Sequence, residues 1–234
     1  MATEFDFRAL TAQERYKLMI GAIVPRPIAL VTTVDAAGRV NAAPFSFFNC
    51  LSADPPILAL GVENHPDLRF KDTAANIRAT EVFTVNIVSR AIAEAMHVTA
   101  VKFPPEVDEL AEAGLTARPG VAVASPWIAE APAAFECRRH VTLSLGRSRE
   151  IILGEILHAH FAPGAVDDRL HVDPAALDAI ARLGGDTCCT IRDRFDMPTP
   201  KLDEWRDRTP TQASPPWSLT NQAAADAGLR SVTS

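Results

Sequence analysis

"IALVTTVDAAGRVNAAPFSFFN", Ile28–Asn49, holds the pattern on which the fold turns. Ile28–Val34 is rich in β-branched side chains. "DAAGR" (Asp35–Arg39) is a glycine-containing turn, and a second apolar run begins at Val40. Apolar run, turn and apolar run predict a hairpin. Pro44 lies inside the second run and has no backbone N–H, so that strand belongs at a sheet edge or a bulge. Phe47 and Phe48 are adjacent and face opposite sides of any strand that contains them. Ser46 and Asn49 flank them with a hydroxyl and an amide. An edge leaves backbone N–H and C=O groups free to meet the polar rim of a planar heterocycle. A plain edge strand with two core aromatics fits the same residues, and pattern alone leaves both readings open.

Outward from this hairpin the strand signals continue. "ILALGV" (Ile57–Val62) and "VFTVNIV" (Val82–Val88) are two more, and "AAFECRRHVTLSLG" with "EIILGEILHAHF" forms a long pair joined around Arg147–Arg149. Helices are expected from "KDTAANIRATE", with Asp72 or Thr73 as N-cap, over Arg90–Val98, and over Pro174–Leu183 with Pro174 in its first turn. Gly184 and Gly185 would then cap that last helix. Four to six strands with short helices between them predict a mainly β fold, a barrel with α decorations. Strands and helices do not alternate regularly, which disfavours a parallel sheet. There is no internal repeat. Residues 1–200 read as one domain and 201–234 as an extended, proline-rich tail without its own core. Trp205 and Trp217 either pin that tail to a barrel surface, its own or a partner's, or belong to a loosely ordered end.

The chain has 234 residues, 47% of them hydrophobic, enough for a sizeable core. Its 23 basic and 29 acidic residues give a formal charge of −6, which argues against a nucleic-acid surface. The opening residues lack a charged lead followed by an apolar core, so no secretory signal is expected. No apolar run is long enough to span a membrane. The four cysteines, Cys50, Cys137, Cys188 and Cys189, form neither a zinc-like pair nor a disulfide frame, and a reduced cytoplasmic protein is the expectation.

Three further stretches could carry chemistry. At "RFKDTAANI" (Arg69–Ile77) a helix start offers unpaired N–H groups and a positive dipole end. Lys71 adds a charge and Thr73 a hydroxyl, a compact phosphate site without a glycine-rich loop. An ordinary capped helix with a surface lysine is the alternative. Arg26 sits between two prolines, which fix where its guanidinium points and suit it to a phosphate or to a rigid surface turn. Gly184 and Gly185, beside Arg182, would let backbone approach a ligand closely. His158 and His160 share one strand face, but no third ligand completes a metal site. His65, His97, His140 and His171 are scattered. There is no nucleophile elbow, dinucleotide fingerprint or P-loop.

Taken in order, "PRPIALVTTVDAAGRVNAAPFSFFNCLSADPPILALGV", "KDTAANIRATEVFTVNIVS", "EAMHVTAVKFPPEVDELAEAGLT", "ECRRH", "GEILHAHF" and "ARLGGD" resemble the flavin reductase-like family over roughly Pro25 to Pro200. The likeness is greatest to its longer, flavoredoxin-like branch. The resemblance implies an FMN-binding split β-barrel of Greek-key type, paired as a homodimer. It further implies hydride transfer from NADH or NADPH to flavin N5, without a metal or a protein nucleophile. Ser46, Phe47, Phe48 and Asn49 would line the isoalloxazine, largely through backbone groups. Lys71, Asp72 and Thr73 would stand at the phosphate and ribityl end, with Arg26 nearby and Thr33 in the cofactor set. Arg182, Gly184 and Gly185 match a segment that approaches the flavin. After "GGD" the branch commonly has tyrosines where this chain has Thr187 and Cys188. Three roles fit: a reductase that supplies a partner monooxygenase with reduced flavin, an enzyme that reduces its own acceptor with tightly held FMN, and a non-catalytic flavin-binding module.

Overall fold

The computed structural model describes residues 2–206 apart from 105 and 147. The chain divides into two compact units, Met1–Thr190 and Ile191–Ser234. The described residues of the first form twelve strands: β1 (Arg26–Pro27), β2 (Ala29–Val34), β3 (Val40–Phe45), β4 (Phe48–Ala53), β5 (Pro56–Glu63), β6 (Val82–Ile87), β7 (Ala117–Arg118), β8 (Trp127–Ile128), β9 (Ala133–Leu145), β10 (Arg149–Phe161), β11 (Ile180–Arg182) and β12 (Cys188–Thr190). Its helices are α1 (Ala12–Ala22), α2 (Asp72–Thr80), α3 (Ala93–Val98), α4 (Glu109–Glu112) and α5 (Pro174–Leu177), with a 3₁₀ turn at Arg90–Ile92.

Seven strands form one antiparallel sheet in the order β3-β2-β6-β9-β10-β5-β4. Its two edges, β3 and β4, are consecutive in the chain. Phe45 and Phe48 are three Cα steps apart and so at most about 11 Å from each other. A flat sheet of seven strands would hold its edges roughly 29 Å apart. The connection therefore requires the sheet to curl until its edges meet, which is a barrel. The expected hairpin is present, in register from Ala29↔Phe45 to Val34↔Val40. Asp35 closes its turn by accepting from the N–H groups of Ala37 (2.8 Å) and Arg39 (2.9 Å). Pro44 does lie on an edge strand, opposite Leu30.

All six residues of β2 are buried, because both of its faces are covered. Ala29 and Val31 point inward to a cluster with Leu58, Leu60, Val62, Phe83 and Ile152, closed by Ala74 and Ile77 of α2. Ile28 and Leu30 point outward to a second cluster with Val88, Ile92, Met96, Leu110 and Ile128. Gly154 of β10 leaves room for the Phe83 ring; a Cβ there would come within 2.4 Å of Cζ. On the outer face Thr32, Thr84 and Glu136 stand opposite one another across β2, β6 and β9. Each holds the irregular chain of 121–126. Thr32 donates to the carbonyl of Pro126 and Thr84 to that of Ser125, while Glu136 accepts from the N–H groups of Val121, Ala122 and Val123 at 2.6–3.0 Å.

Several expectations need correction. The sheet has seven strands, more than the four to six read from the sequence, because β4 is mostly exposed and gives no alternation signal; the short β1, β7, β8, β11 and β12, which lie outside that sheet, give none either. The helix expected over Pro174–Leu183 ends at Leu177. Asp178 turns left-handed and Ile180 pairs its N–H with Val88 at 2.9 Å, so burial of Ile180 overrides helix propensity. Gly184 and Gly185 consequently cap no helix; they form the turn between β11 and β12, with Gly185 at φ +61°. The N-cap of α2 is Lys71, not Asp72 or Thr73. Helix α1 was not foreseen, although Thr11 and Glu14 form a reciprocal capping box at its start. In the second unit, Leu202–Arg206 is a short helix, α6, where an extended tail was expected. The side chain of Trp205, Trp217 and the tail beyond 206 lie outside the described residues.

Candidate functional site

Two clefts lie along the edge strand β3, and both are walled by Pro44, Phe45 and Ala100. The first, about 540 Å³, runs from β3 to the start of α2. Lys71, Asp72 and Thr73 all line it. Lys71 is extended at the N-cap (φ −66°, ψ 157°), and among the described residues no side chain caps the first helical turn. Thr73 is held from below: its hydroxyl oxygen accepts from Asn41 Nδ2 at 3.1 Å. The Asn41 amide also reaches Thr33 (3.4 Å), to which Asn76 of α2 donates at 3.0 Å. Thr33 is therefore the buried hub that fixes this floor. On the opposite wall Glu109 accepts from the N–H of Ala42 at 3.1 Å. Burial pushes its carboxyl above the ordinary range against that bond, and the charges of Asp108 and Asp72 push the same way. Because Ala42 directs its N–H away from β2, Pro44 two residues on faces outward too, where it has no N–H to give.

The second cleft, about 880 Å³, continues past Ser46 to β11 and β12. Arg90, His97, Arg182, Cys188 and Cys189 face it. Arg182 donates to the carbonyl of Gly185 at 2.7 Å and lies 3.8 Å from Asp186. All four cysteines are unbridged. Burial pushes the Cys137 thiol up, which makes it an inert core group.

The other expected site residues lie elsewhere. Phe47, Phe48 and Asn49 line neither cleft. The two phenylalanines do face opposite ways. Phe48 packs on the inner core, while Phe47 lies 4.5 Å beneath the Arg149 guanidinium and 6.2 Å from the Tyr16 ring. Asn49 is exposed and accepts from the N–H of Cys50. Arg26 is buried, and its guanidinium is engaged by the carbonyls of Ile20, Ile23 (3.1 Å) and Leu183 (2.9 Å), which ties α1 to the β11 end. Gly184 lies on the same junction: a Cβ there would come within 3.3 Å of the Gly21 Cα. His158 and His160 are neighbours, but His160 is bonded to Glu136 at 2.6 Å and stacked on Trp127. Among the described residues no three His, Cys, Asp or Glu side chains group as metal ligands. No helix among them is long and apolar enough to cross a membrane.

A family profile described as "Flavin reductase like domain" matches residues 20–178, more than half of the chain. The chain belongs to the flavin reductase-like family. An uncharacterized relative from Deinococcus radiodurans is 41% identical over 213 residues, 88% of this chain and 93% of its own. Among solved structures, nitrilotriacetate monooxygenase component B from Bacillus cereus superposes with a TM-score of 0.81 at 28% identity, covering 84% of this chain and 99% of that one. The 2-nitrobenzoate 2-nitroreductase NbaA of Pseudomonas fluorescens gives 0.77 at 33% identity, covering 86% and 98%. Split-barrel and flavoredoxin structures are also neighbours, and at their lower identity they carry the fold alone.

Sequence reading missed Asn41, Arg90, His97 and Glu109. Asn41 had a usable signal, a carboxamide inside a strand that has to be satisfied once buried. Arg90 and His97 had none, since only the fold carries them to β3.

Proposed function

We propose that the protein binds FMN along the β3 groove and passes to it a hydride from NADH or NADPH. The observation that carries this reading is the uncapped start of α2 opening into a cleft beside Lys71. Free N–H groups, a helix dipole and an ammonium together form a phosphate site, and a phosphate would supply the missing cap. Lys71 and the first turn of α2 would hold the phosphate, Thr73 would donate its hydroxyl proton, and Asp72 would accept from the ribityl chain. The outward backbone of Pro44 and Ser46 would follow the rim of the ring. Arg182, Gly184 and Gly185 would close the far end. Thr33 acts through Asn41 and Asn76, and Arg26 through the junction it ties; both are positioning residues. Bound FMN supplies the two-electron chemistry. The chain itself orients the reactants, which is the main contribution a hydride transfer requires of a protein.

We further propose a homodimer, with the exposed strand β4 and the exposed Leu143 and Leu145 of the long hairpin available to a second copy. Four unbridged cysteines suit a cytoplasmic setting. The likeness to a monooxygenase component B supports reduced-flavin supply to a monooxygenase partner. The 33% identity to a nitroreductase supports a second reading, in which held FMN reduces an acceptor bound by this protein.

The test is anaerobic addition of NADH and of NADPH to the FMN-loaded protein. Bleaching of the flavin by either is expected; absence of bleaching by both overturns the assignment. Steady turnover of added free FMN would favour the supply role, and retention of colour through gel filtration the second reading.

A further inference from the structure

The cleft beyond Pro44 combines two chemistries. Ile28, Phe45, Met96 and Ile180 give it an apolar wall, and Arg90, His97 and Arg182 give it a basic rim. The two arginines differ. Arg182 is tethered to the Gly185 carbonyl and offset by Asp186. Arg90 has its backbone fixed, with its N–H on the Asp178 carbonyl at 2.8 Å, yet its guanidinium has no hydrogen bond or ion pair among the described residues. A cationic cleft with apolar walls in a chain of net charge −6 is a local reversal of the overall field, and low-dielectric walls concentrate it. A guanidinium fork matches a carboxylate or phosphate in two parallel bonds.

We propose that Arg90 determines specificity in this cleft by selecting a second substrate that is planar, apolar on its faces and anionic at one end. The inference rests on the flavin reading, because the Pro44–Phe45 wall that joins the two clefts is what would bring this substrate to the cofactor. The anion is the phosphate of a nicotinamide nucleotide or the carboxylate of an aromatic acid.

The test compares wild type with Arg90→Gln, which removes the charge and keeps a polar side chain. Two hydride donors are used: NADH or NADPH, and the uncharged 1-benzyl-1,4-dihydronicotinamide. KM for the nucleotide is expected to rise at least tenfold, while KM for the neutral donor and the FMN dissociation constant stay within about twofold. Calorimetry with benzoate, benzamide and nicotinamide mononucleotide gives a readout independent of turnover. Wild type should prefer an anion to benzamide, and Arg90→Gln should lose that preference. Whether benzoate or the mononucleotide loses more identifies carboxylate or phosphate as the recognised group. Equal losses for charged and neutral donors, an intact anion preference in the variant, or a large fall in FMN affinity would each overturn the inference and leave the flavin reading standing. If wild type takes up no FMN, the flavin reading fails instead, and calorimetry alone still decides whether Arg90 selects anions.

Discussion

The two clefts share a wall and differ in how their side chains are engaged. Around the first, Asn41, Asn76, Thr33 and Thr73 form one hydrogen-bonded set, and Glu109 is bonded to the edge of β3. Around the second, Arg90 and His97 have no side-chain hydrogen bond or ion pair among the described residues, and Cys188 and Cys189 are unbridged. A site whose groups are already oriented loses little entropy when its ligand arrives, which suits a group that stays. Lys71 at the first cleft and Arg90 at the second both lack a side-chain hydrogen bond or ion pair among the described residues, so the difference lies in the bonded floor around Thr73 and not in the cations. Under the proposed function, the contrast favours cofactor retention at the α2 end and substrate exchange at the β11–β12 end.

The sharpest way to break this contrast is Lys71→Ala. Loss of a charged hydrogen-bond donor should weaken FMN binding roughly a hundredfold, measured by fluorescence titration, with KM for the nucleotide little changed; the opposite pattern would reverse the two assignments. Glu136→Gln should leave both ends alone and cost stability, about 2 kcal/mol at neutral pH. Burial opposes ionisation of Glu136, yet the Val121 N–H, His160 and the N–H groups of Ala122 and Val123 outweigh it, so the carboxyl titrates below its ordinary range. A lowered folded value gives stability that is present above the unfolded value, about 4.3, and is lost as pH falls through the folded one. Thermal melting across acid pH should therefore show a flatter acid limb in the glutamine variant. Asn41→Ala removes the link from Thr33 to Thr73 and should cost about tenfold in FMN affinity, again without moving nucleotide KM.

Glu109 provides a finer probe. Its carboxyl titrates above the ordinary range, so below that pH it is neutral and above it adds a negative charge beside the proposed phosphate site. FMN affinity should fall about threefold as it ionises, and Glu109→Gln should abolish that step. Phe47→Ala should have the least effect on the site. It should leave the bound flavin spectrum unchanged and cost about 1–2 kcal/mol of stability through lost contact with Tyr16 and Arg149. A shifted spectrum would return Phe47 to the ring.

The sequence made the hairpin, the long β9–β10 pair and α2 legible because each carries a clear period and a turn or cap. The α2 start was legible as a helix terminus, and the fold places it on a cleft. Barrel closure was not, since it follows from pairing between distant strands. The aromatic pair lines neither cleft. The opposite orientations of Phe47 and Phe48 followed correctly from strand geometry, but the clefts run along the residues before them, Asn41–Ser46, where Asn41 and Phe45 are the only large side chains. Arg26 shows the other limit. Its direction is held by three carbonyls, two of them near the end of α1, and no sequence pattern could tell that they would meet it.

The row of Thr32, Thr84 and Glu136 has a consequence for how this protein can change over time. It grips the 121–126 segment almost wholly by that segment's main chain. The path of the segment is thus written in three strands elsewhere in the chain, and its exposed side chains, Val121, Ala122 and Ala124, have latitude to drift, whereas Ser125 is buried with its hydroxyl bonded to Thr84. Variation at those three exposed positions should be tolerated far better than variation at the three residues beneath the segment.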